Sequence, residues 1–303
     1  MWPEAPGLAG RLAGDLAGWA EAVERRLREL LPPEDRRPES VHRAMHYAAT
    51  APGKRLRPVL TLAVAAMFGR GGQPVVDLAC AVEMVHACSL VLDDLPAMDD
   101  AALRRGRPAV HLAFGEEVAI LAAFALFNRA YSLVAQAGEQ LELRRYSTAD
   151  LAHHLATAIG SDGLVGGQAL DLESRETDLD LERLEYIHSH KTGALFLAAA
   201  ELGAMAADAR RRDLEPVTGF AKNLGLAFQI SDDVLDAVAT PAETGKDSGQ
   251  DARRVTFVKL LGVEGAQTLA GELLDFAVES LAPLGRKADA LRALALFVRR
   301  RGE

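Results

Sequence analysis

Cysteine is nearly absent from this chain: among 303 residues there are two, Cys80 and Cys88, in one apolar segment. That excludes a disulfide framework and a cysteine-spaced zinc site, and it fits a reducing cytoplasm. Strand-type alternation of apolar and polar residues is scarce, which argues against a sheet-rich fold. Positive charge is not in excess (34 basic against 43 acidic residues, net −9), so a nucleic-acid partner is not expected. The opening MWPEAPGLAG lacks a basic stretch followed by an apolar core, so no signal peptide is expected. The longest uncharged apolar run, Val118 to Phe127, is too short to span a bilayer, and no integral membrane segment is expected. No domain linker, internal repeat or low-complexity stretch stands out.

What the chain has is helix. Hydrophobic residues make up 49% of it, with many of the strong helix formers Ala and Leu. Apolar positions recur at helical spacing between short Gly and Pro interruptions. Helices are expected over 8–31, from Glu39 or Ser40 to near Thr50, and over 56–68, 75–94, 115–137, 148–160, 162–174, 180–205 and 212–238. Two or three more follow a polar loop, ATPAETGKDSGQDARR. The expected fold class is all-α: a single domain over 1–303, with 1–38 as an N-terminal helix and loop.

Three carboxylates crowd the end of each of two long apolar stretches: Asp93, Asp94 and Asp99 in SLVLDDLPAMDD, and Asp232, Asp233 and Asp236 in FQISDDVLD. Crowded anions repel unless cations neutralise them, and aspartate oxygens suit Mg²⁺, which bridges protein carboxylates to substrate phosphates. Two such clusters facing each other would make a diphosphate clamp. Asp232 and Asp236 share a helix face, with Gln229 one turn earlier. Each cluster alone also reads as a solvated acidic helix end. Pro96 should end the first helix and let Asp99 return to the same cation through a turn. Arg104 and Arg105 follow directly, and the guanidinium fork matches phosphate oxygens. A second basic patch, GKRLRP, carries Lys54, Arg55 and Arg57, and His86 lies two helical turns before Asp93. Together they could hold a second anion without metal, although a basic helix start and a core histidine are ordinary features.

GKRLRP, SLVLDDLPAMDDAALRRGRP, HKTG and FQISDDVLD resemble, in this order, the trans-type prenyl diphosphate synthases, from about residue 40 to the C-terminus. Within that family the first aspartate region is most similar to bacterial geranylgeranyl diphosphate synthases. The resemblance implies helices around a deep central cavity, a homodimer, and three Mg²⁺ ions, two on Asp93 and Asp99 and one on Asp232. Asp94, Asp233 and Asp236 would support the metals, with Gln168 and Asp171 of GGQALDLE serving the second cluster. The allylic diphosphate would be held by Arg104, Lys191 and Lys246, and isopentenyl diphosphate by Lys54, Arg57, His86 and Arg105. Lys191, Thr192 and Gln229 would line the carbocation. Ala101 and Ala102 replace acidic residues common in relatives, and Arg253 or Arg254 would stand in for a missing lysine.

The resemblance also bears on product length. Ser89 and Cys88 lie about one turn before Asp93 on its helix, and short-product relatives commonly carry an aromatic at the second of these positions. The small Cys88 implies growth to a twenty-carbon product, with Phe124 and Phe127 as candidates for the cavity floor. A farnesyl diphosphate synthase is the alternative. A class I terpene cyclase or a non-catalytic partner subunit is disfavoured, because both aspartate motifs, GKRLRP and RRG are all present.

Overall fold

The computed structural model describes residues 8–174, 180–238 and 255–300. In chain order the helices are α1 (Leu8–Leu30), α2 (Glu39–Ala49), α3 (Leu56–Met67) and α4 (Gln73–Asp93). A two-stranded ribbon follows, β1 (Leu103–Arg104) and β2 (Arg107–Pro108). Then come α5 (Val110–Phe114), α6 (Glu116–Gln140), α7 (Thr148–Ile159), α8 (Leu164–Glu173) and α9 (Leu181–His188). A single π-helical turn, Ser189–Gly193, leads into α10 (Ala194–Ala206) and α11 (Arg211–Val238). The last elements are α12 (Phe257–Ser280), a 3₁₀ turn (Ala282–Ala288) and α13 (Asp289–Arg299). The all-α expectation holds, and most expected helix ends fall within two residues of the observed ones.

Local chemistry sets several boundaries. Ser147 and Asp150 form a reciprocal capping box at the start of α7. Asp180 accepts from the Arg183 amide to open α9, and Thr256 accepts from the Lys259 amide to open α12. Three helices, α3, α4 and α10, are buried on nearly every side and form the centre of the bundle. Around them pack α1, α2, α6, α7, α11 and α13. A smaller apolar cluster of Leu184, Ile187, Ile230, Val234 and Phe257 joins α9, α11 and α12.

Two helices bear on the membrane expectation, and one expected helix needs correction. By length and composition α4 and α6 could each cross a membrane, because one or two charges interrupt the apolar runs without shortening the helices. The apolar part of α4 is mostly buried inside the bundle, as in the core helix of a globular domain. The helix expected over 180–205 is two helices joined by the π turn SHKTG. Apolar periodicity cannot reveal one inserted residue, and π turns of this kind are frequent at functional sites.

That turn is packed tightly. A Cβ on Gly167 of α8 would lie 2.2 Å from the Lys191 backbone nitrogen, which cannot swing aside as a flexible side chain can. Gly167→Ala should therefore force α8 off the π turn and destabilise the protein by about 1–3 kcal/mol, measured by denaturant unfolding.

Candidate active site

A cavity of about 780 Å³ opens between the start of α3, the end of α4, the ribbon, α8, the π turn, α11 and the start of α12. Both aspartate clusters reach it, although they lie on helices far apart in sequence. Asp93 and Asp99 line one part, and Asp232, Asp233 and Asp236 another. The turn after α4 brings Asp99 back as expected, its amide donating to the Asp93 carbonyl at 2.9 Å. Among the described residues no three carboxylate, His or Cys side chains converge closely enough to hold a metal alone. The donor set still fits a hard cation that takes its remaining oxygens from a diphosphate and water. Burial pushes the Asp233 pKa up to about 6, opposed by its hydrogen bonds from Gln229 and the Phe257 amide, with Asp232 and Asp236 adding a smaller upward push.

The two clusters are not uniform. Asp94 is 1% exposed and does not line the cavity. It faces the ribbon, where Arg104 Nε donates to Oδ1 at 2.9 Å and to Oδ2 at 3.1 Å. Burial opposes the Arg104 charge, but its hydrogen bond to Asp94, with Asp93 and Asp99 nearby, outweighs this and raises its pKa. Asp233 is similarly engaged. It accepts from Gln229 Nε2 and from the Phe257 amide, each at 3.0 Å, so it ties α12 to α11. Gln229 in turn accepts from Thr192 Oγ1 at 2.9 Å, joining the π turn to the same network.

Lys191 lines the cavity and donates to Asp171 Oδ2 at 2.6 Å, a pairing the spacing did not indicate. The Gln168 amide, buried beside it, has no hydrogen-bond partner among the described residues and belongs to the cavity wall. Lys246, Arg253 and Arg254 lie outside the described residues. Lys259, in the first turn of α12, lines the cavity and was not singled out from sequence.

On the α3 side, Lys54, Arg57, His86 and Arg105 line one end of the cavity. Arg57 stacks over Phe196, 4.4 Å from the ring centre, and its Nη1 is 3.4 Å from His86 Nε2. Burial brings the Arg57 pKa down to about 10, with Arg105 adding to the effect and Glu83 and Asp232 opposing it. His86 falls well below the usual histidine range, through burial and then Arg57 and Arg105, so it is neutral at pH 7. Arg105 occupies a two-residue turn in which both central residues are left-handed, Arg105 at φ 55° and Gly106 at φ 73°. That turn aims its guanidinium across Gly53 at the Ala51 carbonyl, 3.2 Å from Nη1. Sequence reasoning missed Glu83, which also lines this end, and the buried role of Arg55.

The floor expected from α6 is a correction. Phe124 is 71% exposed, on the outer face, and does not line the cavity. The inward positions of that helix are Ala119, Ala122, Ala123 and Leu126, which leaves residue 124 facing away. Phe127 packs on Tyr131 instead, and the aromatic in the cavity wall is Phe228. Ser89 lines the cavity, its hydroxyl donating to the His86 carbonyl at 2.9 Å. Cys88 lies buried beside it, its thiol pushed up to about 12 by burial and then by Asp93.

The family model described as Polyprenyl synthetase matches residues 38–280. Geranylgeranyl pyrophosphate synthase 4 of Arabidopsis thaliana is 41% identical over 93% of this chain and 76% of its own length. The farnesyl diphosphate synthase of Escherichia coli strain K12 is 44% identical over 86% of this chain and 88% of its own. The structure of a geranyltransferase from Helicobacter pylori, complexed with magnesium and isoprenyl diphosphate, superposes with a TM-score of 0.79 at 31% identity, covering 95% of this chain and 96% of that one.

Gly53 offers a test of the α3 end of the cavity. A Cβ there would lie 2.6 Å from Arg105 Nη1, while the Gly53 backbone is not in the left-handed region. Gly53→Ala should displace the guanidinium without straining the chain. The expected result is binding of inorganic diphosphate in EDTA weakened by about 3- to 10-fold in calorimetry, with little change in thermal stability.

Proposed function

The chain belongs to the polyprenyl synthetase family and is a prenyltransferase that condenses isopentenyl diphosphate with an allylic diphosphate, and from that premise we propose that its product is the twenty-carbon geranylgeranyl diphosphate. The observation that carries the chain length is the pair of small side chains about one turn before Asp93 on α4, Ser89 lining the cavity and Cys88 buried beside it without lining it. A bulky residue there would meet the growing tail close to the aspartates, whereas these two leave it room. The farnesyl product is the second reading, favoured by the similarity to the Escherichia coli farnesyl diphosphate synthase.

Three Mg²⁺ ions are proposed, with Asp93 and Asp99 holding two and Asp232 the third, supported by Asp233 and Asp236. Magnesium held there would supply neutralisation of the charge on the departing diphosphate and a template for it. The chain's own residues do the rest. Lys191 is pre-aligned by Asp171 and, with Arg104 on its Asp94 anchor, offers fixed positive charge to the allylic diphosphate. Thr192 and Gln229 present polar oxygens beside the site of the allylic cation, and the apolar wall, including Leu90, Leu195 and Phe228, excludes water from it. At the α3 end, Lys54, Arg57, His86 and Arg105 hold isopentenyl diphosphate. The neutral His86, next to Arg57, acts there as a hydrogen-bond donor. No protein side chain is assigned as the base, and the released diphosphate is the proposed proton acceptor.

A single domain in a cytoplasmic homodimer is the proposed form. The support for the dimer is an exposed apolar strip on α5 and α6, formed by Leu112, Ile120, Leu121 and Phe124.

Incubation with isopentenyl diphosphate and either dimethylallyl or farnesyl diphosphate, with and without Mg²⁺, tests this reading. Mg²⁺-dependent elongation to twenty carbons is expected, and a product that stops at fifteen carbons would overturn it. Cys88→Tyr should shorten the product. Asp93→Ala or Asp232→Ala should lower the rate by roughly three orders of magnitude or more in a steady-state assay.

A further inference from the structure

The metal-free end of the cavity contains a carboxylate where an anion is meant to bind. Glu83 lines it together with Arg57, His86 and Arg105, and is 2% exposed. Its Oε1 accepts from Arg55 Nη1 at 2.5 Å. Arg55 is itself 3% exposed, and its Nη2 donates to the Ala51 carbonyl at 2.7 Å. The same carbonyl accepts from Arg105. One guanidinium therefore connects α4 to the loop that receives the ribbon's arginine.

The sequence positions sharpen this. Arg55 stands between Lys54 and Arg57, and Glu83 lies three residues before His86 on the same side of α4. Arg55 is also left-handed at φ 51°, an unfavourable conformation for a bulky residue that persists only when its surroundings impose it. A pair serving packing alone has no need to sit between four anion-binding groups, nor to hold the intervening backbone in that conformation. Glu83 also opposes the loss of charge on both Arg57 and Arg105.

We propose that Arg55 and Glu83 are a positioning pair for the isopentenyl diphosphate pocket: together they fix the backbone between Lys54 and Arg57 and set Arg57, His86 and Arg105 in place before the anion arrives. The proposal rests on the assignment of that pocket given under the preceding heading. A counter-charge role makes the opposite prediction. If Glu83 merely neutralised arginines, removing its charge would strengthen anion binding. If it positions them, removing it weakens binding.

The test uses the full chain with Glu83→Gln and Arg55→Lys, and Lys54→Ala as reference. The readouts are kcat, KM for each substrate, and the Kd of inorganic diphosphate in EDTA by calorimetry. Glu83→Gln should raise KM for isopentenyl diphosphate and the diphosphate Kd by about tenfold or more, with the allylic KM within about twofold of wild type. Arg55→Lys, which keeps the charge but loses the planar fork, should act in the same direction and carries the test if Glu83→Gln does not fold. Unchanged or tighter diphosphate binding, or equal rises in both KM values, overturns the proposal. If Lys54→Ala leaves the isopentenyl diphosphate KM unchanged, the pocket assignment itself fails and takes the proposal with it.

Discussion

Buried charge on α4 is the constraint on which the rest of the molecule depends. This helix runs through the centre of the bundle, yet it carries Asp77, Glu83 and Asp93, with Asp94 capping its end. Ionised carboxylates are tolerated in such a place only when paired and hydrogen-bonded. Each of the three buried ones has an arginine from a different part of the chain: Arg26 of α1 for Asp77, Arg55 for Glu83, and Arg104 of the ribbon for Asp94. Those pairings fix α1, the α3 loop and the ribbon against α4. Asp93, one residue from Asp94, is left facing the cavity.

The same logic organises the opposite wall. Asp233 is held by Gln229 and by the amide that opens α12, while Asp232 and Asp236 face inward. In both clusters one carboxylate is tied into the protein and its neighbours are presented to the cavity. The division reflects how helical residues one apart in sequence point in different directions. It also concentrates negative charge at one end of the cavity, while at the other Lys54, Arg57 and Arg105 outnumber the single carboxylate Glu83. A pair of diphosphates, one with magnesium and one without, is the ligand set that such a polarity suits.

Much of this was legible from residue order. Apolar spacing marked the helices because burial selects a face every 3.6 residues, and the long stretches around Asp93 and Asp232 gave strong signals. Pro96 after Asp94 announced the turn that returns Asp99 to Asp93. Other features left no such trace. The π turn at HKTG adds one residue to a helix without disturbing its composition. The ribbon is too short to show alternation, and its left-handed Arg105 is a conformation that its residue type does not advertise. Phe124 read as a candidate floor because periodicity identifies an apolar position but not whether the core or the outer surface receives it.

The helical class, the identity of the charged motifs and the chemistry open to them follow from residue order, because side-chain type and short-range spacing are properties of the chain alone. Which charge meets which depends on how distant segments pack. Asp94 and Asp93 are adjacent and chemically identical, and Arg55 and Arg57 differ by two positions. Their separate roles follow from which side of a helix or loop each one occupies and which distant segment packs there, and pairings such as Glu83 with Arg55 exist only once those segments are brought together.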